Sequence, residues 1–303
     1  WVAQHHRNRW PNGLRFRHLP LADNIKEVFL YKSLGLSAFP HNLINLPIKG
    51  ESCHYKHELL IKEQIEIQGA DFISLYRPVT NVISMEWFTE NHAQVALSAE
   101  DFTISSWIPT EDDDYALHLG HTKLVPLLEE QYGIKIITDL VPPSPLNANI
   151  NVFMAHGGKG VEGFRTIYTR NEEGHAIIKE NGINRILGSG IIAVLFICHS
   201  AYVSPEIFSQ RLISLCHHVL SLGYKAVIAP AWSLNPIITP VWLEKFLDCL
   251  KKGQRVSECV LNANVKVMES GFNEHHGFYA PTGWAAMHLY GNPNIYFQVD
   301  NVV

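Results

Sequence analysis

"IIAVLFICHSAYVSPEIF", residues 191–208, decides how the rest of the chain is read. Seven apolar residues, Ile191 to Ile197, run without a polar break into Cys198, His199 and Ser200, and a helix is expected soon after. A strand that is apolar throughout is buried on both faces, which is the habit of strands in a parallel sheet covered by helices. Cys198 then has two readings: one more small hydrophobe of the core, or a nucleophile at the end of a strand, where α/β sheets bind their ligands.

The neighbouring sequence extends the same pattern. "INVFMAHGG" (150–158) reads as a strand that stops at a glycine pair, and "YKAVIAPAW" (224–232) and "IKIITDL" (134–140) as further apolar strands. "DFISLYRP" (71–78), "VISMEWF" (82–88) and "QVALSAEDFTISSWIP" (94–109) are rich in β-branched and aromatic residues and are expected to be strands. "FRTIYTRNEEGHAII" (164–178) reads as a hairpin or an excursion turned at its Glu-Gly step, "VPPSPLNAN" (141–149) as a loop, and "NIYFQV" (294–299) as a closing strand.

Helical spacing appears in "ALHLGHTKLVPLLEEQYG" (116–133), where Pro126 predicts a bend or a new start and Gly133 an end. "SPEIFSQRLISLCHHVLSLG" (204–223) is expected to be one helix, opened by Ser204-Pro205 and closed by Gly223. "TPVWLEKFLDCLKKG" (239–253), with Thr239 as N-cap and Pro240 at the first helical position, and "RVSECVLNANVKVMES" (255–270) complete the set. Apolar strands alternating with amphipathic helices indicate an α/β fold with a largely parallel central sheet covered by helices on both faces. Residues 1–68 are weakly patterned and are read as a linker or accessory lobe; 69–303 are read as one domain.

Composition bounds the function. The chain has 303 residues, 47% hydrophobic and 17% charged, as in an ordinary globular protein. A formal net charge of −5 without a basic block argues against direct nucleic-acid binding. No apolar run reaches the length of a membrane span, so no membrane role is expected. The five cysteines are scattered without a CxxC pair, which suggests neither a disulfide framework nor a thiolate zinc site and fits a reducing, cytoplasmic setting. A chain that begins with Trp1 reads as an excised domain or fragment.

Two residues could carry chemistry together. Cysteine attacks as the thiolate, and a nearby imidazole can take its proton and later protonate a leaving amine. His156, ending "NVFMAH", is the candidate base and Cys198 the candidate nucleophile. Both fall on the carboxyl rim of the expected sheet. Gly157 and Gly158 let backbone approach a substrate, so the N–H groups of Gly157 and Cys198 are candidates for an oxyanion hole. Taken alone, Cys198 would more often be a packed core thiol and His156 a structural histidine. Strand-His-Gly-Gly followed by strand-Cys-His-Ser on one rim favours the catalytic reading.

"NVFMAHGG" with "AVLFICHSAY" resembles the CHAT domain of the caspase, separase and metacaspase group of cysteine proteases. The likeness continues through "GYKAVIAPAW", "WLEKFLDCLKKGQRVSECVLNANVKV" and "GWAAMHLYGNPNIYF"; it spans about 139–298 and is weaker from 70. The resemblance implies a caspase-like three-layer sandwich and a His156–Cys198 dyad that cleaves peptide bonds without a third catalytic side chain or a cofactor. It also implies that "APAWSLN" lines a substrate groove, making Trp232 and Ser233 substrate-binding candidates; the competing reading of Trp232 is a core aromatic. The expected partners are a protein substrate and an activating partner, sensor or helical-repeat domain, in a bacterial signalling or defence system. Two departures stand out. Phe196 and Ile197 occupy the place where metacaspases carry an acidic residue, so Arg or Lys specificity is not implied. "CHSAYVS" replaces the Thr- or Gly-bearing turn that commonly follows the nucleophile.

Other signals have blander readings. Glu111 to Asp114 form an acidic run best read as a solvated loop, and "HGGKG" lacks the spacing of a phosphate-binding loop. "CHYKH" (Cys53, His54, His57) and "CHH" (Cys216, His217, His218) have metal-like composition without a second half at zinc spacing, so no metal site is expected, and Cys216 with Leu220 is assigned to a core stripe. His199 is read as a structural neighbour. Ser200 lacks the strand-elbow context of a serine nucleophile. The rival to an enzyme is a catalytically silent caspase-like docking domain; a histidine-built metal module is a weaker third.

Overall fold

Unbroken β-branched and apolar runs become the central strands of a single sheet. The computed structural model describes residues 25–31, 42, 45–46, 71–109, 115–159, 165–171, 174–179, 184–198, 200, 204–205, 212–213, 215–271 and 281–299. In chain order the sheet contains β1 (Val28–Tyr31), β2 (Val79–Val82), β3 (Ile104–Trp107), β4 (Ile136–Ile137), β5 (Ile150–Lys159), β6 (Arg165–Asn171), β7 (Gly174–Lys179), β8 (Ile192–Ile197), β9 (Ala226–Pro230) and β10 (Met287–Gly291). Their spatial order is β1-β2-β10-β9-β8-β5-β3-β4, and β6 and β7 form a hairpin on the far end of β5. Along that path only β9 and β10 run antiparallel. Every other neighbouring pair is parallel.

Side-chain alternation sorts the strands onto two cores. Ile150, Val152 and Met154 of β5 and Ile192, Val194 and Phe196 of β8 face one side. They meet α3 (Val125–Tyr132), α5 (Thr239–Lys251) and α6 (Val256–Gly271) through Leu128, Trp242, Phe246, Cys259 and Ala263. Phe153, Ala155, Ala193, Leu195 and Ile197 face the other side, against Leu215, Cys216, Val219 and Leu220 of α4 (Leu215–Ser221). Burying each large aliphatic side chain contributes roughly 1.5–3 kcal/mol, so a strand buried on both faces is held without relying on its neighbours' caps. Helices on both faces of a mostly parallel sheet make the expected three layers, and Cys216 and Leu220 do share the buried stripe of α4.

The segment before residue 69 contributes to this body. Val28–Tyr31 pairs with Val79–Val82 at the sheet edge. Buried Asn42 donates from Nδ2 to the carbonyls of Ala285 (3.0 Å) and Met287 (3.2 Å), tying it to the entrance of β10.

Several local expectations are corrected. "VISMEWF" is no strand: β2 ends at Val82 and α1 (Met85–Asn91) begins, because the Ser84 hydroxyl accepts from the Trp87 N–H at 3.0 Å and caps a helix that aromatic content alone would not predict. "DFISLYRP" keeps only Asp71–Phe72 extended before a 3₁₀ turn. The 94–109 stretch splits into Val95–Leu97 and β3 at a reciprocal Ser98–Asp101 capping box. "IKIITDL" pairs only through Ile136–Ile137.

The helix expected over 116–133 runs as α2 (Tyr115–Leu119), a π-turn (Gly120–Leu124) and α3, which carries Pro126 in its first turn and ends at Gly133, φ 65°. Ser204–Pro205 does not open a helix. It pairs antiparallel with Leu212–Ile213, and α4 starts only at Leu215. Thr239 lies inside α5 rather than capping it; its hydroxyl donates to the Pro236 carbonyl at 2.8 Å, while Asn235 accepts from the Ile237 N–H at 3.2 Å. β5 does not stop at the glycine pair but passes through it to Lys159, because β6 supplies a new partner. The hairpin of β6 and β7 forms as expected. Trp1, Cys53, His54, His57, Glu111 to Asp114, the hairpin turn at 172–173 and His199 lie outside the described residues.

Candidate active site

The site grows from the register of two strands. β8 pairs with β5 in parallel from Ile192 opposite Ile150 to Ile197 opposite Ala155. The next step along each chain is Cys198 and His156. Neighbouring strands lie about 4.8 Å apart, so these residues leave the sheet side by side. Alternation sends Met154 and Phe196 toward the α5–α6 side and Ala155 and Ile197 toward α4, up to the point where β8 ends.

The pairing changes hands at this step. Beyond Ala155, β5 leaves β8 and pairs antiparallel with β6, His156 standing opposite Tyr168 and Gly157 opposite Ile167. β8 ends at Ile197, and the Ser200 N–H donates to the Ile197 carbonyl at 3.2 Å, closing a tight turn with Cys198 inside it. Ser200 is buried, and its carbonyl accepts from the Cys216 thiol at 3.6 Å, so α4 anchors the turn from beneath. β8 thus ends beside a strand that changes partner, and Cys198 is half-buried at that rim.

Gly157 is required by contact rather than by backbone angle. A Cβ at this position would strike the Cys198 carbonyl oxygen and lie 2.8 Å from Cγ2 of Ile197. Its missing side chain is what lets the His156–Gly157 backbone approach the turn that carries the sulfur.

The loop after β9 closes the other side. The Leu234 N–H donates to Cys198 Sγ at 3.4 Å, and Leu234 itself packs on the α5–α6 core. In the same loop Trp232 is half-buried, edge-to-face with His288 of β10 (centroids 5.1 Å apart, 88°). The Trp232 Nε1–H is buried without a hydrogen-bond partner among the described residues. Ser233 is exposed beside it. His156, Gly157, Cys198 and the Trp232–Ser233 loop thus gather at one rim. Sequence reasoning missed the Leu234 N–H, which carries no side-chain signature, and His288, whose strand gives no hint of the indole it faces.

No groups of three or more His, Cys, Asp or Glu side chains that could hold a metal ion occur among the described residues, nor does a helix long and apolar enough to cross a membrane. A cavity of about 500 Å³ lined by Phe102, Tyr132, Phe297 and Lys251 lies at the opposite, amino-terminal edge of the strands.

No protein-family model and no curated protein sequence matches the chain. Among solved structures it is similar to a chain of the Saccharomyces cerevisiae separase–securin complex, with a TM-score of 0.57 and 15% identity over 91% of this chain. A second crystal structure of that complex gives a TM-score of 0.55 and 16% identity over 92%. The common property is the fold. This chain has the caspase-like α/β architecture and spans about 16% of the length of the chain it matches. The Arg-specific cysteine proteinase gingipain R is similar at a TM-score of 0.46, with 10% identity over 92% of this chain and 80% of its own.

Proposed function

We propose that this chain is a caspase-like cysteine endopeptidase of CHAT type, with Cys198 as nucleophile and His156 as general base. The observation that supports the reading is the strand register: Ile197 stands opposite Ala155 on neighbouring parallel strands, and Cys198 and His156 are the residues that follow them.

The chemistry is acyl transfer. The Cys198 sulfur attacks the scissile carbonyl carbon, and the charge that develops on oxygen is met by the N–H groups of Gly157 and Cys198. His156 holds the proton taken from the thiol and gives it to the departing amine. Water, deprotonated by His156, then attacks the thioester carbonyl, and a second oxyanion collapses to release the acid and the thiol. No cofactor enters any step. Trp232 and Ser233 are read as substrate contacts because the loop that carries them adjoins Cys198 through the Leu234 N–H.

The domain is read as quiet until a partner, or another part of a longer chain, moves the loop after β9. The Leu234 N–H resting on the sulfur supports this, since attack requires that lone pair to face substrate. A cytoplasmic bacterial signalling or defence setting, with a protein substrate and an activating sensor, belongs to the same proposal. Labelling with a thiol-directed peptide electrophile tests it. Adduct on Cys198 in the wild type, absent in Cys198→Ala and slowed in His156→Ala, is expected. Equal labelling of wild type and Cys198→Ala, or no label under any activating condition, leaves a silent docking domain instead.

A further inference from the structure

We propose that Cys249 and Cys259 form a redox-active dithiol, a peroxide-oxidisable pair that closes into a disulfide across the α5–α6 turn. This inference stands apart from the peptidase reading and does not use Cys198.

The geometry begins with the register of the helical hairpin. α5 ends at Lys251 and α6 begins at Val256, so the two helices run antiparallel across a short turn. Deep in the hairpin, the Trp242 Nε1–H donates to Asn264 Oδ1 at 2.8 Å, which fixes which residues stand opposite one another. Nearer the connection, Cys249 and Cys259 pack into the same buried cluster, and their thiols lie within hydrogen-bonding reach of one another. Gln254, in the turn, ties both: its N–H donates to the Cys249 carbonyl at 3.2 Å, and the Cys259 thiol donates to the Gln254 carbonyl at 3.6 Å. Packed helices lie about 8–10 Å apart with Cα atoms about 2.3 Å off each axis, which leaves roughly 3.4–5.4 Å between facing Cα atoms. The upper part of that range falls within the roughly 4.4–6.8 Å that a disulfide bridges.

The two thiols are also unlike each other. The Cys259 hydrogen bond draws Cys249 down to about 6, against its burial, with Lys245, Asn262 and Lys252 helping. Burial, with the Cys249 sulfur beside it, pushes Cys259 up and keeps it protonated. A thiolate paired with a resolving thiol is the arrangement that oxidises in steps. Both side chains are nearly inaccessible, at 1% and 0% exposure, so a small oxidant is required.

Hydrogen peroxide supplies the two electron vacancies. The Cys249 thiolate attacks one peroxide oxygen, the O–O bond breaks, and the departing hydroxide takes a proton to become water, leaving a sulfenic acid on Cys249. The Cys259 sulfur then attacks that sulfur, the S–O bond breaks, and the Cys259 proton leaves with the hydroxide as a second water. Two thiols and one peroxide give one disulfide and two waters.

The test is peptide mapping of the full chain after peroxide treatment, without reductant. Trypsin cuts at Lys245, Lys251, Arg255 and Lys266, so Phe246–Lys251 and Val256–Lys266 separate unless bridged. The proposal expects them joined, two hydrogens lighter than their sum, in both wild type and Cys198→Ala. It expects thermal unfolding about 5 °C higher than in the reduced protein, reversed by dithiothreitol. In Cys259→Ser, a sulfenic acid on Cys249 should persist and react with dimedone. Free Phe246–Lys251 and Val256–Lys266 peptides after Cys198 has been fully oxidised would overturn it, as would a bridge from Cys249 to any other cysteine. Because Cys198→Ala must bridge equally well, failure here and failure of the peptidase reading are told apart.

Discussion

At the scale of single residues, Gly157 makes the sharpest demand. A methyl group there meets the Cys198 carbonyl, so Gly157→Ala must push β5 and the turn after β8 apart beside His156 and Cys198. Overpacking of this kind costs about 1–3 kcal/mol. Urea unfolding of Gly157→Ala should show that loss, and electrophile labelling of Cys198 should fall even where the protein remains folded. His156→Ala should slow labelling by on the order of 10²–10⁴-fold while leaving the unfolding midpoint close to wild type. What the sequence marks is position: His156 and Cys198 each end an apolar run, and both strands do end or change partner there. The Leu234 N–H on the sulfur was not legible, since a backbone donor 36 residues away leaves no mark in composition.

Elements show where local chemistry overrides pattern. The stretch 82–88 is rich in strand formers, yet one hydroxyl at Ser84 receiving the Trp87 N–H is enough to start α1. Ser84→Ala should therefore destabilise by about 1 kcal/mol, measured by thermal unfolding. Ser204-Pro205 misled in the opposite direction: a helix-opening dipeptide was taken up by pairing with Leu212–Ile213. In the α5–α6 hairpin, Asn264 accepts from the Trp242 indole and donates to the Met287 carbonyl at 3.4 Å. Asn264→Ala orphans a buried N–H and should cost about 1–3 kcal/mol. The same hairpin sets a pH dependence. With Cys249 lowered to about 6 by Cys259, and with Lys245 and Lys252 nearby and Glu258 acting on Cys259, its reactive thiolate fills as pH rises through that value. Its peroxide reaction should climb between about pH 5 and 7, where an ordinary thiol near 8.5 remains slow.

Over the whole molecule, the alternation of apolar strands with amphipathic helices was sufficient for a layered, mostly parallel sheet. What it could not supply was the order of strands at the edges. β10 enters between β9 and β2 and reverses direction against β9, and Val28–Tyr31 joins from a segment whose sequence has no clear period. Those contacts connect residues far apart in the chain. Asn42, for example, holds the carbonyls of Ala285 and Met287, and no local window contains both ends. The likeness to the separase complex gives the same architecture at 15% identity, so fold is shared where side chains are not.

The most direct measurement is a proteome-wide profile of new protein N-termini for wild type, Cys198→Ala and His156→Ala, each expressed with its genomic neighbours. Cleavage sites present in the wild type and lost from both variants are predicted; identical sets of termini in all three would contradict the dyad.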